Sequence, residues 1–189
     1  MSRIQNGRTS MSGNEKYHDL LKGIENPKVR ARGELGSFQN SLRYELYKAA
    51  FERIDAGIKN GNYFEVISIA DSLITDRIQA LVQFLRREEP EHYVHTSIGM
   101  ALELLHAEMK STNANFGDEF ESLRKKLNEW VPNRNIAAHG FVVITHKNLD
   151  QNLDRRIEHL KETAIAGAEL ARLTTNNTTK ILRKLHSKG

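Results

Sequence analysis

Between Tyr63 and about Glu88 the apolar residues recur at helical steps over more than half of the wheel. Ile67, Ala70, Ile74, Ile78, Leu81 and Leu85 fall on one side, and Val66, Ile69, Leu73, Ala80 and Phe84 on the adjoining side. A helix with a narrow apolar stripe can lie on a single surface, but one that is apolar over so wide an arc must pack against more than one neighbour. This segment predicts a core built of several helices, with the 63–88 helix among them.

The rest of the chain supplies the neighbours. After a short helical piece around Tyr17 to Gly23, Leu35, Phe38, Leu42, Leu46, Ala49, Ala50, Arg53 and Ile54 mark an amphipathic helix from Pro27 to Ile58. Pro27 suits its first turn, and Gly57 with Asn60 to Asn62 suits its end. A third helix, Thr96 to about Lys110, carries Ile98, Ala101, Leu102, Leu105 and Met109, and Ser111 to Asp118 is a loop. Glu119 to Trp130 forms a fourth, with Phe120, Leu123 and Leu127 inward, until Pro132 interrupts it. Phe141 to Thr145 is too short to assign. The last helix begins near Leu149 and Asp150, with Leu153, Ile157, Leu160, Ala164, Ala168 and Ala171 in line, and Thr174 to Thr179 weakens it. No strand alternation is evident, so the expected fold is all-α: an antiparallel up-and-down bundle of four to five helices. Residues 1–14 read as a flexible tail, 15–185 as a single helical domain and 186–189 as a second tail.

The absence of cysteine excludes disulfide frameworks, thiolate metal sites and cysteine nucleophiles. The N-terminus lacks the apolar core of a secretory signal and no run of about 18 apolar residues occurs, so no membrane is expected and the cytosol is the expected compartment. A net charge of +4 and a pI near 9.3 permit a nucleic-acid partner without requiring one.

The 63–88 helix has one further face, Ser68, Ser72, Thr75, Asp76, Gln79 and Gln83, polar yet poor in Lys and Glu. It reads either as a wet interface or groove, or as a surface that happens to lack long charged side chains. Among metal patterns, Glu103 and His106 make a Glu-x-x-His pair. A carboxylate-bridged site needs a second such pair, and none is present, which leaves His106 as a partly buried helix-face histidine. His18, His92 and His95 have no second ligand at metal spacing, and His146, His159 and His186 stand in charged, exposed neighbourhoods.

What remains is VPNRNIAAHG, Val131 to Gly140. With 15 Arg and 8 His in the chain, an Arg followed five positions later by His should arise by chance roughly 0.6 times. It occurs twice, at Arg134 with His139 and at Arg87 with His92. The second pair lies among acids and a Pro at a solvated helix end, so spacing alone carries nothing. Around Arg134 the setting differs. Pro132 breaks the previous helix and can start a new one, Asn135 and His139 are four apart on one face, and Ile136, Ala137 and Ala138 let another helix approach. Arg134 sits about 140° round the wheel from His139. It must reach back, or the site must be completed across a symmetric contact. An arginine fork can hold a phosphate and a histidine can shuttle a proton, while Asn135 can orient the imidazole or hold a phosphate oxygen. Together these suffice for metal-independent phosphodiester cleavage by a ribose 2′-OH, with Arg134 stabilising the phosphorane charge and His139 as general acid/base.

Arg-Asn-x-x-x-His late in a small all-α chain resembles the HEPN superfamily, whose motif is Arg, four to six residues and His, with a polar residue often following the Arg. ADSLITDRIQALVQFL in the 63–88 helix is also similar to HEPN chains. The resemblance spans about residues 28–173 as helix order. It implies a homodimer that brings two Arg/His motifs to a composite cleft. It further implies an endoribonuclease without cofactor or metal, in toxin-antitoxin, abortive-infection or CRISPR-linked defence, with RNA as substrate and an antitoxin or other neutralising protein as a possible partner. Other members are silent and bind RNA or a partner. Asp71 is the best supporting acid, because at the margin of the apolar arc its carboxylate wants a partner such as Arg134 or Arg77. Asp76, on the polar stripe, is a second. Each also reads as a boundary carboxylate, paired structurally or solvated. A third reading of the chain is a helical scaffold in which Arg134 and His139 only cap and pair.

Overall fold

A computed structural model of the chain describes residues 33–86, 97–139, 141 and 153–186, without the side chains of 33–41, His139 and His186. Among these residues the chain is all-α: α1 Gly33–Asn60, α2 Tyr63–Arg86, α3 Ile98–Ser111, α4 Asp118–His139 and α5 Leu153–His186. The expected helical bundle is present. The tail 1–14, the piece at Tyr17 to Gly23, the Arg87/His92 pair, Val142 to Thr145 and the tail after His186 lie outside the described residues. No described helix is long and apolar enough to cross a membrane.

Contacts divide the chain inside α1, into Met1–Ala49 and Ala50–Gly189. In the first unit Tyr44 and Leu46 are exposed, although Leu46 belongs to the expected apolar stripe. The second unit holds the core and the motif. Its centre is α2, which buries Val66, Ile67, Ala70, Leu73, Ile74, Ile78, Leu81 and Val82 and packs on both α5 and α3, while α4 packs on α5. The wide apolar arc is thus used on more than one side, at roughly 1.5–3 kcal/mol for each large side chain buried. Gly61, with φ +77°, makes the turn into α2. Gly57 lets α1 approach so closely that a Cβ there would stand 2.6 Å from Val66 Cγ2.

Helix senses follow from a few contacts. The Trp130 indole N–H donates to the Thr163 carbonyl at 2.9 Å, and Lys180 pairs with Glu119 at 3.6 Å, so α4 runs antiparallel to α5. Tyr63 lies close enough to Lys161 to act on its charge, and Ala70 stands opposite Gly167, so α2 runs in the same sense as α5 and antiparallel to α4.

Three local expectations change. Pro132 does not break a helix: α4 runs through it to His139. An interior proline removes the donor to the carbonyl four residues back and typically costs about 3 kcal/mol. Here Pro132 and Asn128 are exposed, so water can take the freed carbonyl, and the Asn133 amide donates to the Glu129 carbonyl at 3.0 Å. Trp130 before the proline and Ala137 after it are both buried and tie the helix down on each side. Thr174 to Thr179 does not weaken α5 either, and Thr174, Asn177 and Thr178 are buried within it. Thr178 Oγ1 donates to the Thr174 carbonyl at 2.8 Å and the Asn177 amide to the Leu173 carbonyl at 3.2 Å, so Asn177 and Thr178 bond back to their own helix, while Thr174 Oγ1 is buried with no hydrogen-bond partner among the described residues. The polar stripe of α2 divides: Ser68 and Ser72 are exposed, with the Ser72 hydroxyl donating to the Ser68 carbonyl at 2.9 Å, whereas Thr75 and Gln79 are buried.

Candidate functional site

The last three turns of α4 carry the motif, and what positions them is an indole against a glycine. Gly167 of α5 leaves a notch in which Trp130 lies so close that a Cβ on residue 167 would stand 2.5 Å from Trp130 Cζ2 and 3.4 Å from Ala70 Cβ. The Trp130 N–H to Thr163 bond fixes the ring within that notch. At this point α2, α4 and α5 meet, and the residue after Ala70 on α2 is Asp71, while one turn past Trp130 on α4 is Arg134. Sequence reasoning did not single out Trp130 or Gly167. The signal was there, a lone Trp and a Gly inside the small-residue run Ala164 to Ala168, but small residues at helical steps carry no partner's name.

The Arg134 guanidinium donates to an Asp71 carboxylate oxygen. The pair is half-buried, with 15% of the Arg134 side chain exposed and 30% of the Asp71 side chain. A second terminal N–H donates to the Asn135 side-chain oxygen at 2.7 Å. The Nε of Arg134 is buried with no hydrogen-bond partner among the described residues. Such a donor costs on the order of 1–3 kcal/mol unless something comes to meet it.

Asp71 therefore takes Arg134 as its partner. Asn135 is exposed and its amide oxygen accepts from Arg134. His139 closes α4, and its side chain lies outside the described residues. Asp76 and Arg77 are part-buried and each has a partner. From Asp71 they stand about 140° and 120° round α2, so they are not on the face that holds Arg134.

Elsewhere, His106, expected to be partly buried, is exposed, as is Glu103. Among the described residues no group of three or more His, Asp or Glu side chains is placed to hold a metal. His159, expected to be exposed, is half-buried, and its Nε2 is shut off from water with no hydrogen-bond partner among the described residues.

Chemically the described site offers a preset guanidinium with one unspent inward donor, an acceptor carboxylate behind it and an exposed amide beside it. One turn on, the helix ends at His139. No family model, no curated protein and no solved structure matches this chain, so the site is read from its own residues.

Proposed function

We propose that the chain is a metal-independent RNA endonuclease of the HEPN kind, in which Arg134 holds and stabilises the scissile phosphate and His139 moves the proton. The observation that carries the reading is the state of Arg134. It is half-buried, held by Asp71 and Asn135, and its Nε–H has no partner among the described residues, five residues before His139 on one continuous helix. A guanidinium held this way needs little reorganisation to meet the charge that develops as a ribose 2′-oxygen attacks phosphorus, which is where electrostatic catalysis gains most. Asp71 is its positioning residue.

A second chain completes the site in this proposal. Phe64, Ile136, Leu153 and Ile157 are exposed at the end of the second unit where α4 finishes and α2 and α5 begin. Large apolar side chains left open around the motif suit a symmetric contact that brings two motifs together. A role in toxin-antitoxin, abortive-infection or related defence, with a neutralising protein partner, follows from the resemblance alone.

One observation favours a second reading. Asp71 already satisfies part of the Arg134 fork, as it would in a silent HEPN-like module that binds RNA or a protein and uses the pair only to hold α2 to α4. Purified protein incubated with RNA in EDTA separates the two: the enzyme leaves 2′,3′-cyclic phosphate ends, and the silent module retains RNA uncut.

A further inference from the structure

We infer that Phe64, at the start of α2, is a stacking platform for a nucleobase of single-stranded RNA, next to the phosphate held at Arg134; the inference rests on the reading of the chain as an RNA endonuclease. A cleaving site needs more than a grip on one phosphate, because the strand beside that phosphate must also be held still. Unpaired bases are most readily held by their π-faces, on aromatic rings. The groups around Arg134 are a guanidinium, a carboxylate and an amide bonded to one another. They hold oxygen atoms and offer no aromatic ring.

Phe64 supplies that ring. Seven residues separate it from Asp71, which places the two on one stripe of α2, about 20° apart round the wheel and about 10 Å apart along the axis. Asp71 carries Arg134, so the ring lies within the span of a nucleotide flanking the guanidinium. Ser68, between them on that stripe, is short and exposed, and a strand meets no long side chain there. The orientation of Phe64 is set from within the chain. The Phe141 ring meets it edge-to-face, with centroids 5.2 Å apart and planes at 87°, and the Phe141 carbonyl accepts from Arg156 at 2.8 Å. One neighbour covers at most one face of a ring, and Phe64 keeps 45% of its surface exposed. A ring already held in this way loses little freedom when a base settles on it. Charge agrees with an anionic strand: Arg156 brings a cation to the aromatic pair, and the neighbouring acid, Glu65, is taken up by Arg53 at 2.8 Å. Ile136, Leu153 and Ile157, also exposed at this end, have no ring to offer a base and suit the contact with a second chain.

The test compares full-length wild type with Phe64→Leu, which keeps apolar bulk without a ring, and Phe64→Tyr, which keeps the ring. Each is first checked for wild-type thermal unfolding and for its mass in solution. The substrate is a single-stranded RNA, used intact and with one abasic residue moved stepwise past the scissile position. Phe64→Leu is expected to raise KM about 10-fold on the intact RNA, with the loss falling on KM rather than kcat, and Phe64→Tyr to recover most of it. One abasic position beside the cut is expected to raise KM for wild type by a similar factor and to leave the Leu variant nearly unmoved, because the base and the ring are then lost as one interaction. A wild-type KM in the Leu variant overturns the assignment, as does an abasic penalty of the same size in both proteins. A smaller mass in solution for the Leu variant also overturns it, since Phe64 then belongs to the contact between chains. Should the Leu variant not fold, the abasic series on wild type decides, and a series without any sensitive position overturns the stacking site. If wild type cuts no RNA, the enzyme reading fails on its own. Stacking is then read from the Kd of the same RNA, labelled with a fluorophore, for wild type against Phe64→Leu: weaker binding by the variant supports it and equal binding overturns it.

Discussion

A guanidinium half-buried beside a carboxylate has already given up much of its water, and Arg134 has done so one turn from a helix end. Its orientation is set by Asp71 and Asn135 before any substrate arrives. Arg134→Lys is therefore expected to lose about 10²-fold or more in cleavage rate despite keeping the charge, because an ammonium has no fork to lie between the two acceptors and no Nε–H. A kinetic assay against folded wild type checks this. Asp71→Ala leaves the guanidinium without its carboxylate and is expected to lower stability by about 1–2 kcal/mol in a denaturant melt, a modest figure because the pair is partly open to solvent. Its cleavage rate falls as well, since Arg134 is then free to turn. If Asp71 served only to tie α2 to α4, the melt would shift while the rate per folded molecule stayed put.

At the level of elements, α4 is positioned by what it packs on more than by its own sequence. Gly167→Ala forces a methyl to within 2.5 Å of the Trp130 ring, and is expected to destabilise the protein by about 1–3 kcal/mol, read as a lowered unfolding midpoint. Pro132→Ala is expected to raise stability by about 1–3 kcal/mol and leave cleavage intact, because α4 is already continuous there. A fall in activity with the helix content unchanged would mean that the proline itself shapes the motif. These two positions also show what the amino-acid order discloses. The arc of α2 was legible because burial on several sides demands apolar residues on several sides. The path of α4 through Pro132 was not, since local rules end a helix at a proline and only the tertiary anchors at Trp130 and Ala137 carry it across. The buried Thr178 was illegible for a related reason: a threonine whose hydroxyl bonds back to its own helix carries the same letter as a threonine in a loop. Asp71 was legible as a carboxylate seeking an arginine, from its place at the margin of the arc. His159 was hidden by Glu158 and Lys161, which suggest a solvated neighbourhood and in the fold pair with each other.

At the scale of the whole molecule the proposal concerns what two chains make together. One chain presents its preset arginine, its motif histidine and a set of exposed apolar side chains at the same end of one bundle. A shared site predicts that Arg134→Ala and His139→Ala chains, each inactive alone, regain part of the activity when mixed and allowed to exchange, and a cleavage assay on the mixture detects it. The most direct test of the account is the rate at which RNA acquires 2′,3′-cyclic phosphate ends in EDTA, measured for wild type and for His139→Ala at matched thermal stability. The account predicts cleavage by wild type and a loss of about 10²-fold or more in the variant. Equal rates in the two proteins, or no cleavage by wild type, would contradict it.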